Sequence, residues 1–159
     1  MNALITGLNA LVALTLLALT ALAPVCSYNW LQFGGGPQHS GNNQHESLIT
    51  PANVSQLKRL FQVTLDASID GPAAYLFGVA TANGTQYLIF GTTWVGGILA
   101  LDAHTGAQAW AKQAFTSPCK ILGTPYDCIV HSVAAIDPNL KYVYSYSLDG
   151  KVHKYKVGD

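Results

Sequence analysis

The chain has 159 residues, the length of one ordinary domain, of which half are hydrophobic and only 10% are charged;. Eight basic residues balance eight acidic ones, so the net charge is zero with histidine neutral. This balance excludes the strongly basic surface of a nucleic-acid-binding protein and the acidic tail that would favour a cationic partner. The composition predicts a globular domain with a large core and little solvating surface.

Residues 1–27 are predicted to be a signal peptide. Residues 10–23 form an apolar run of the length that signal peptides use;. The run is shorter than the roughly 20 residues that a membrane-spanning helix needs. Small residues at Val25, Cys26 and Ser27 favour cleavage after Ser27. We expect a secreted protein with no stable membrane span after cleavage, and the alternative is an uncleaved membrane anchor.

Residues 28–56 are predicted to form a lead-in loop, because glycine, proline and amide side chains interrupt any regular pattern;. Asn53 begins the sequon Asn-Val-Ser, and Asn83 begins the sequon Asn-Gly-Thr. Both asparagines are candidate glycosylation sites if the host is a eukaryote.

Alternating apolar residues predict a strand over residues 58–65;. Four more strands are predicted in direct succession, over residues 73–80, 86–93, 97–103 and 107–114;. Asn83-Gly84 between the first two of these is the strongest hairpin signal in the chain;. The four successive strands are predicted to form one antiparallel sheet.

The strand pattern then repeats after about 50 residues;. Its second occurrence is predicted from three echoes: residues 132–136, 142–146 and 151–155 match residues 71–75, 87–91 and 97–101. Residues 58–61 also match residues 108–111, which predicts that 58–65 is an outer strand. We therefore divide the chain into residues 57–113, a closing strand plus a first repeat, and residues 114–159, a second, incomplete repeat.

Two cysteines, Cys119 and Cys128, remain after signal cleavage and are predicted to form a disulfide in an oxidising compartment;. Their spacing gives little support to a zinc site. The histidines show no metal-ligand spacing, and no catalytic nucleophile motif or pair of carboxylates is recognisable;. The sequence therefore predicts no catalytic residue and no metal site.

Tyr142, Tyr144, Tyr146 and Tyr155 are predicted to form an aromatic cluster on neighbouring strands. The first three alternate along one predicted strand, so their rings share one face of the sheet. Two interpretations stay open for this cluster. The rings pack between sheets, or they form a platform that stacks on a sugar or another ligand.

Residues 100–110 read A-x-D-x-x-T-G-x-x-x-W. Asp102 can accept backbone N–H groups two or three residues later, as in an Asx turn. Gly106 provides the positive φ that a tight hairpin needs. Trp110 then lies on the returning strand, where Ala100 is small enough to lie beside the indole.

This pattern resembles the tryptophan-docking motif of β-propellers of the pyrroloquinoline quinone (PQQ) type. The five matching positions are Ala100, Asp102, Thr105, Gly106 and Trp110. In that family the Trp stacks between the Ala of its own blade and the Gly turn of the next blade. The resemblance implies an all-β fold, a partial β-propeller of about two four-stranded antiparallel blades.

The resemblance further implies a secreted PQQ-like scaffold or binding module, with a polymer, a protein or a small molecule as its partner. The alternative is the N-terminal part of a PQQ-dependent quinoprotein oxidoreductase whose active residues lie outside this chain. Because no cofactor motif of that family is recognisable, no cofactor is predicted here, and PQQ and calcium belong to a full-length relative. We expect either a fragment of a ring or self-assembly, in which residues 58–65 of one copy complete the second blade of the next.

Overall fold

The computed structural model describes residues 28–69, 71–112, 119–121, 124–126 and 129–159. The predicted signal peptide lies outside these ranges. The described residues form one 3₁₀ turn, Val54–Gln56, and nine strands. The strands are β1 (Ala74–Thr81), β2 (Gly84–Thr92), β3 (Ile98–Asp102), β4 (Gln108–Lys112), β5 (Cys119–Ile121), β6 (Thr124–Tyr126), β7 (Ala135–Ile136), β8 (Tyr142–Tyr146) and β9 (Val152–Lys156).

Strands β1 to β4 form one antiparallel sheet in chain order, which confirms the four successive strands predicted for this region. Tight turns join them, because Gly84, Gly96 and Gly106 adopt the positive φ that such turns require;. A bulge interrupts β1 between Leu76 and Val79, so the pairing with β2 shifts there;.

The strand predicted over residues 58–65 is wrong, because this described segment belongs to no strand. Its Leu60 side chain is 82% exposed. Phe61 and Val63 instead lie against the turn at Gly106. Alternation shows that a segment has two chemically different faces, but a strand also needs a neighbouring edge to bind, and that partner is not visible in the local sequence.

Strands β7, β8 and β9 form a second antiparallel sheet, and β5 and β6 form a separate hairpin. The second sheet repeats the first in register. Leu88 pairs with Asp102 in the first sheet, and Tyr142 pairs with Lys156 in the second, both members 54 residues later. The predicted match of β9 with β3 has this spacing and is confirmed, whereas the predicted match of β8 with β2 is one residue out of register.

The two sheets pack against each other through opposite faces. The first contributes the face that carries Leu88, Phe90 and Ala100, and the second contributes Val143 with Ile136. Val143 lies 54 residues after Ile89, which is on the other face of β2, because side chains alternate along a strand;. The sheets are therefore stacked back to front, as successive repeats would be.

Among the described residues, no helix is long and apolar enough to cross a membrane.

Candidate functional site

The turn between β3 and β4 contains the hydrogen bonds expected for Asp102. Its Oδ1 atom accepts the backbone N–H groups of His104 and Thr105, at 3.1 and 2.9 Å, and the Thr105 hydroxyl at 2.8 Å. Burial alone would raise the pKa of Asp102, but the hydrogen bonds from Thr105 and His104 outweigh it and hold this pKa below its usual value;. The carboxylate is therefore engaged in holding the turn.

Two features of the structure, a positive φ and a close contact with side chains, require glycine at position 106. Its φ of 74° is the positive value expected for this turn;. A Cβ atom at Gly106 would also lie 2.5 Å from Cδ2 of Phe61 and 2.8 Å from Cγ2 of Val63. The turn therefore receives the 58–65 segment, a contact that the motif alone could not reveal because the segment lies about forty residues earlier in the sequence.

Trp110 joins the two sheets. It pairs with Ala100 in β3, and its ring lies 5.8 Å from Phe90 and 6.4 Å from Tyr155 of the second sheet, between centroids. Its Nε1–H group donates to the backbone oxygen of Val157 at 3.0 Å. The structure therefore places all five motif residues in one hairpin, and brings the indole to the segment that follows β9.

Gly158 marks a second close approach between the sheets. A Cβ atom there would lie 2.3 Å from the backbone oxygen of Ala80 in β1. Because a backbone atom cannot move aside easily, only glycine fits at this point. Trp110 and Gly158 thus fix the segment after β9 at the two edge strands of the first sheet, β4 and β1.

The outward side of the second sheet carries the predicted tyrosine cluster. We call the side chains of Tyr142, Tyr144, Tyr146, Val152 and Lys154 the tyrosine face. The Lys154 ammonium lies 3.7 Å from the ring centroid of Tyr142 and 5.9 Å from that of Tyr144;. Tyr146 is 48% exposed and Val152 is 67% exposed. Tyr142, Tyr144 and Tyr146 share one face as predicted, on the side of the sheet that is turned away from the core. The prediction that Tyr155 belongs to the same cluster is wrong, because it pairs with Val143 on the other face, beside Trp110.

A groove of about 520 Å³ opens beside the bulge of β1, between the two sheets. Apolar atoms of Leu76, Phe77 and Val79 contribute to one wall. Lys141, Lys156 and Asp159 also line the groove. The groove is the size of a small-molecule site, but the two cations and the nearby acid leave no strong preference for an anion.

Asp149, in the turn before β9, is hydrogen-bonded to His153 of β9, with 3.0 Å between Oδ1 and Nε2. The hydrogen bond from His153 holds the pKa of Asp149 below its usual value. Among the described residues, no three His, Cys, Asp or Glu side chains are grouped so that they could hold a metal ion.

The remaining predicted sites are peripheral or outside the described ranges. Asn53 and Asn83 are both exposed. The Asn53 side chain also caps the local turn, because its Oδ1 accepts Thr50 N–H at 2.7 Å and its Nδ2 donates to the Leu48 oxygen at 2.8 Å. Cys119 begins β5 and Cys128 lies outside the described residues, so the disulfide stays a prediction.

Comparisons with protein-family models, with curated proteins and with solved structures found no match to this chain. The likeness to the PQQ-type propellers therefore depends on the motif and on the repeated sheets.

Proposed function

We propose that the chain is a secreted PQQ-like β-propeller scaffold or binding module. The observation that carries the proposal is the position of Trp110, whose indole bonds to Val157 across the junction of two sheets repeated at 54 residues. In such a scaffold the motif residues hold neighbouring repeats together. The edges and loops are then left for partners.

The use of the polar groups supports a scaffold over an enzyme. Asp102 is committed to its turn, and Asp137 likewise accepts the N–H groups of Lys141 and Tyr142 before β8. Asp149 also serves a turn, because its Oδ1 accepts the N–H of Lys151 at 3.1 Å before β9 and lies 3.0 Å from Nε2 of His153. The oxidoreductase alternative receives no specific support from these contacts.

Cooperativity of unfolding tests the scaffold. If Trp110 holds the repeats together, the purified chain should unfold in one transition, and hydrogen exchange should protect β2 and β8 to a similar extent. Trp110→Ala should lower the protection of β8 more than that of β2, because β8 belongs to the smaller, three-stranded sheet. Independent unfolding of the two sheets in the unmodified chain would contradict the proposal.

The enzyme alternative has its own test. PQQ and calcium are titrated into the purified chain, and dye-linked oxidation of an alcohol is followed. We expect neither saturable PQQ binding nor dye reduction. Turnover that depends on PQQ would overturn the scaffold and would show that residues of this chain itself take part in an oxidoreductase reaction.

A further inference from the structure

The outer edge of β9 carries backbone groups that point away from the sheet. Val157 N–H donates to the Lys141 oxygen, and Ser147 N–H donates to the Lys151 oxygen, which fixes the two ends of the β8–β9 ladder. In an antiparallel pair, hydrogen-bonded and non-bonded residue pairs alternate. The N–H and C=O groups of Val152, Lys154 and Lys156 therefore face outward.

No described strand pairs with this edge. Within the described part of the chain, the N–H of Asp159 donates to the Lys156 oxygen in a long turn bond of 3.4 Å.

The first sheet shows what such an edge accommodates. The residues of β3 at the equivalent positions are Ile98, Ala100 and Asp102. Strand β4 pairs with the first two of them. Ala100 lies opposite Trp110, and Asp102 N–H donates to the Ala107 oxygen at 2.8 Å. The edge of β9 therefore has the register and direction of an edge that already binds an antiparallel strand in this fold.

The side chains on the edge determine which strand would fit. Lys154 and Lys156 occupy the positions of Ala100 and Asp102, so the second sheet has neither the small residue that receives the indole nor the turn carboxylate. Four of the eight basic residues of the chain lie between positions 141 and 156, where Asp149 is the one acid. Cross-strand pairs of opposite charge are favourable and pairs of like charge are unfavourable. The edge therefore favours an acidic strand.

Tyr142 and Tyr144 keep the Lys154 ammonium on one face of the sheet, 3.7 Å from the ring centroid of Tyr142;. Because both rings belong to β8, an acid on the incoming strand competes with them and draws the ammonium outward across β9. Val152, at the start of β9, is 67% exposed and offers an apolar contact to the same incoming strand.

We propose that β9 is an acceptor edge for an extended acidic segment of a partner protein, which adds antiparallel as a fourth strand. The proposal rests on the binding-module function and names its partner. Read from its N-terminus, the incoming segment places an acid opposite Lys156, a second acid opposite Lys154 and an apolar residue opposite Val152. Its pattern is acid-x-acid-x-apolar. Main-chain bonds provide affinity, and the alternate side chains provide selectivity.

A second copy of this chain fits the edge less well. The extended segment over residues 58–65 carries Lys58 and Arg59 and no acid, so it would bring two cations to a basic edge. Lysines on an edge also serve to prevent unwanted pairing, and that role predicts that acidic and basic peptides alike fail to bind.

The test uses a fluorescent peptide with the core Glu-Thr-Glu-Thr-Val, titrated into the purified chain by anisotropy. We expect saturable binding that weakens about tenfold in Lys154→Glu and weakens further with added salt. Lys58→Glu makes the same change of charge in a segment outside the edge, and this variant should bind the acidic peptide as tightly as the unmodified chain does. A peptide with the core Lys-Thr-Lys-Thr-Val should bind Lys154→Glu/Lys156→Glu better than it binds the unmodified chain.

N-methylation separates strand pairing from simple charge attraction. Methylation of the residue opposite Lys154 removes an N–H that points at β9 and should abolish binding, whereas methylation of the next residue should leave it intact. Three results would overturn the proposal. The acidic peptide does not bind, the unmodified chain binds the acidic and basic peptides with equal affinity, or the two N-methylated peptides lose the same affinity. Circular dichroism and unfolding of each variant confirm that the chain is folded. The cooperativity of unfolding reports separately on the scaffold, so the two proposals fail by different measurements.

Discussion

The indole of Trp110 contributes to the junction in two separable ways. Its ring packs on Phe90 and near Tyr155, and its Nε1–H satisfies the backbone oxygen of Val157. The ring is only partly buried, so its removal should cost somewhat less than a fully buried aromatic does;.

Trp110→Ala is expected to destabilise the chain by about 2–4 kcal/mol, measured by denaturant unfolding. Trp94→Ala is the matched control, because Trp94 is 43% exposed and should cost about 1 kcal/mol or less;. Trp110→Phe keeps a ring but loses the donor to Val157, so we expect a loss of about 1–2 kcal/mol. Equal stability of the Trp110→Ala and Trp94→Ala variants would contradict the bridging role.

The Asp102 turn makes stability depend on pH. Because hydrogen bonds hold the pKa of Asp102 below its unfolded value, its carboxylate stabilises the fold above the unfolded pKa;. That contribution is lost as the pH falls through the folded pKa. Asp102→Asn should cost on the order of 1 kcal/mol at pH 7 and progressively less below about pH 4. Unfolding curves between pH 3 and pH 7 measure the difference, and a constant difference over this range would contradict the prediction.

At the scale of elements, the contact between the 58–65 segment and the Gly106 turn can be isolated with two glycines of nearly equal φ. Gly106 has φ 74° and would place a Cβ in the ring of Phe61, whereas Gly150 has φ 75° and its nearest neighbour is 4.0 Å away. Gly106→Ala and Gly150→Ala should each cost about 1 kcal/mol of stability through backbone strain. Only Gly106→Ala adds a steric clash.

We therefore expect Gly106→Ala to destabilise the chain by at least about 1 kcal/mol more than Gly150→Ala, measured by denaturant unfolding. Phe61→Ala in the Gly106→Ala background should recover part of that excess, because it removes the ring that the new methyl group meets. Identical losses at the two glycines would show that the 58–65 segment does not pack on the turn.

These elements also show how far the sequence could predict the fold. Strands β1 to β4 were predictable because alternation and turn residues are local signals, and the Asp102 turn is contained within five residues. The strand over residues 58–65 was not, because pairing depends on a distant edge. The one-residue error in matching β8 with β2 had a larger effect, since it exchanges the two faces of the strand. The tyrosines face outward because Val143, between Tyr142 and Tyr144 on β8, is the side chain that enters the core.

The hairpin of β5 and β6 lies between the two sheets in the chain and carries the predicted disulfide. Cys119 and Cys128 should be joined, which would close a loop of ten residues and contribute roughly 2–3 kcal/mol in the chain-entropy account;. Intact-mass analysis of secreted protein, alkylated before and after reduction, measures the free thiols. Alkylation of both cysteines before reduction would contradict the bridge.

At the scale of the whole molecule, the back-to-front stacking leaves different surfaces at its two ends. The first sheet is covered on its outer side by residues such as Ile69, whose side chain lies against Gly91. The second sheet ends in the tyrosine face and the edge of β9. Association is therefore expected at the second sheet, and it is opposed there by lysines rather than by a covering segment.

This arrangement predicts how the purified chain behaves on its own. Tyr146 and Val152 expose apolar surface at the tyrosine face, and Leu57 and Leu60 expose further apolar surface in residues 57–63. Exposed apolar surface favours self-association. Lys154 and Lys156 repel a second copy, and that repulsion weakens as salt is added because the screening length shortens from about 10 Å at 0.1 M to about 3 Å at 1 M.

Sedimentation velocity should therefore show mostly monomer at low salt and a broad distribution of larger species at high salt. Val152→Lys should suppress the larger species, whereas Lys58→Glu should not. Discrete trimers or tetramers at either salt concentration would favour ring assembly through residues 58–65. A monomer at both salt concentrations would contradict the predicted self-association through the tyrosine face.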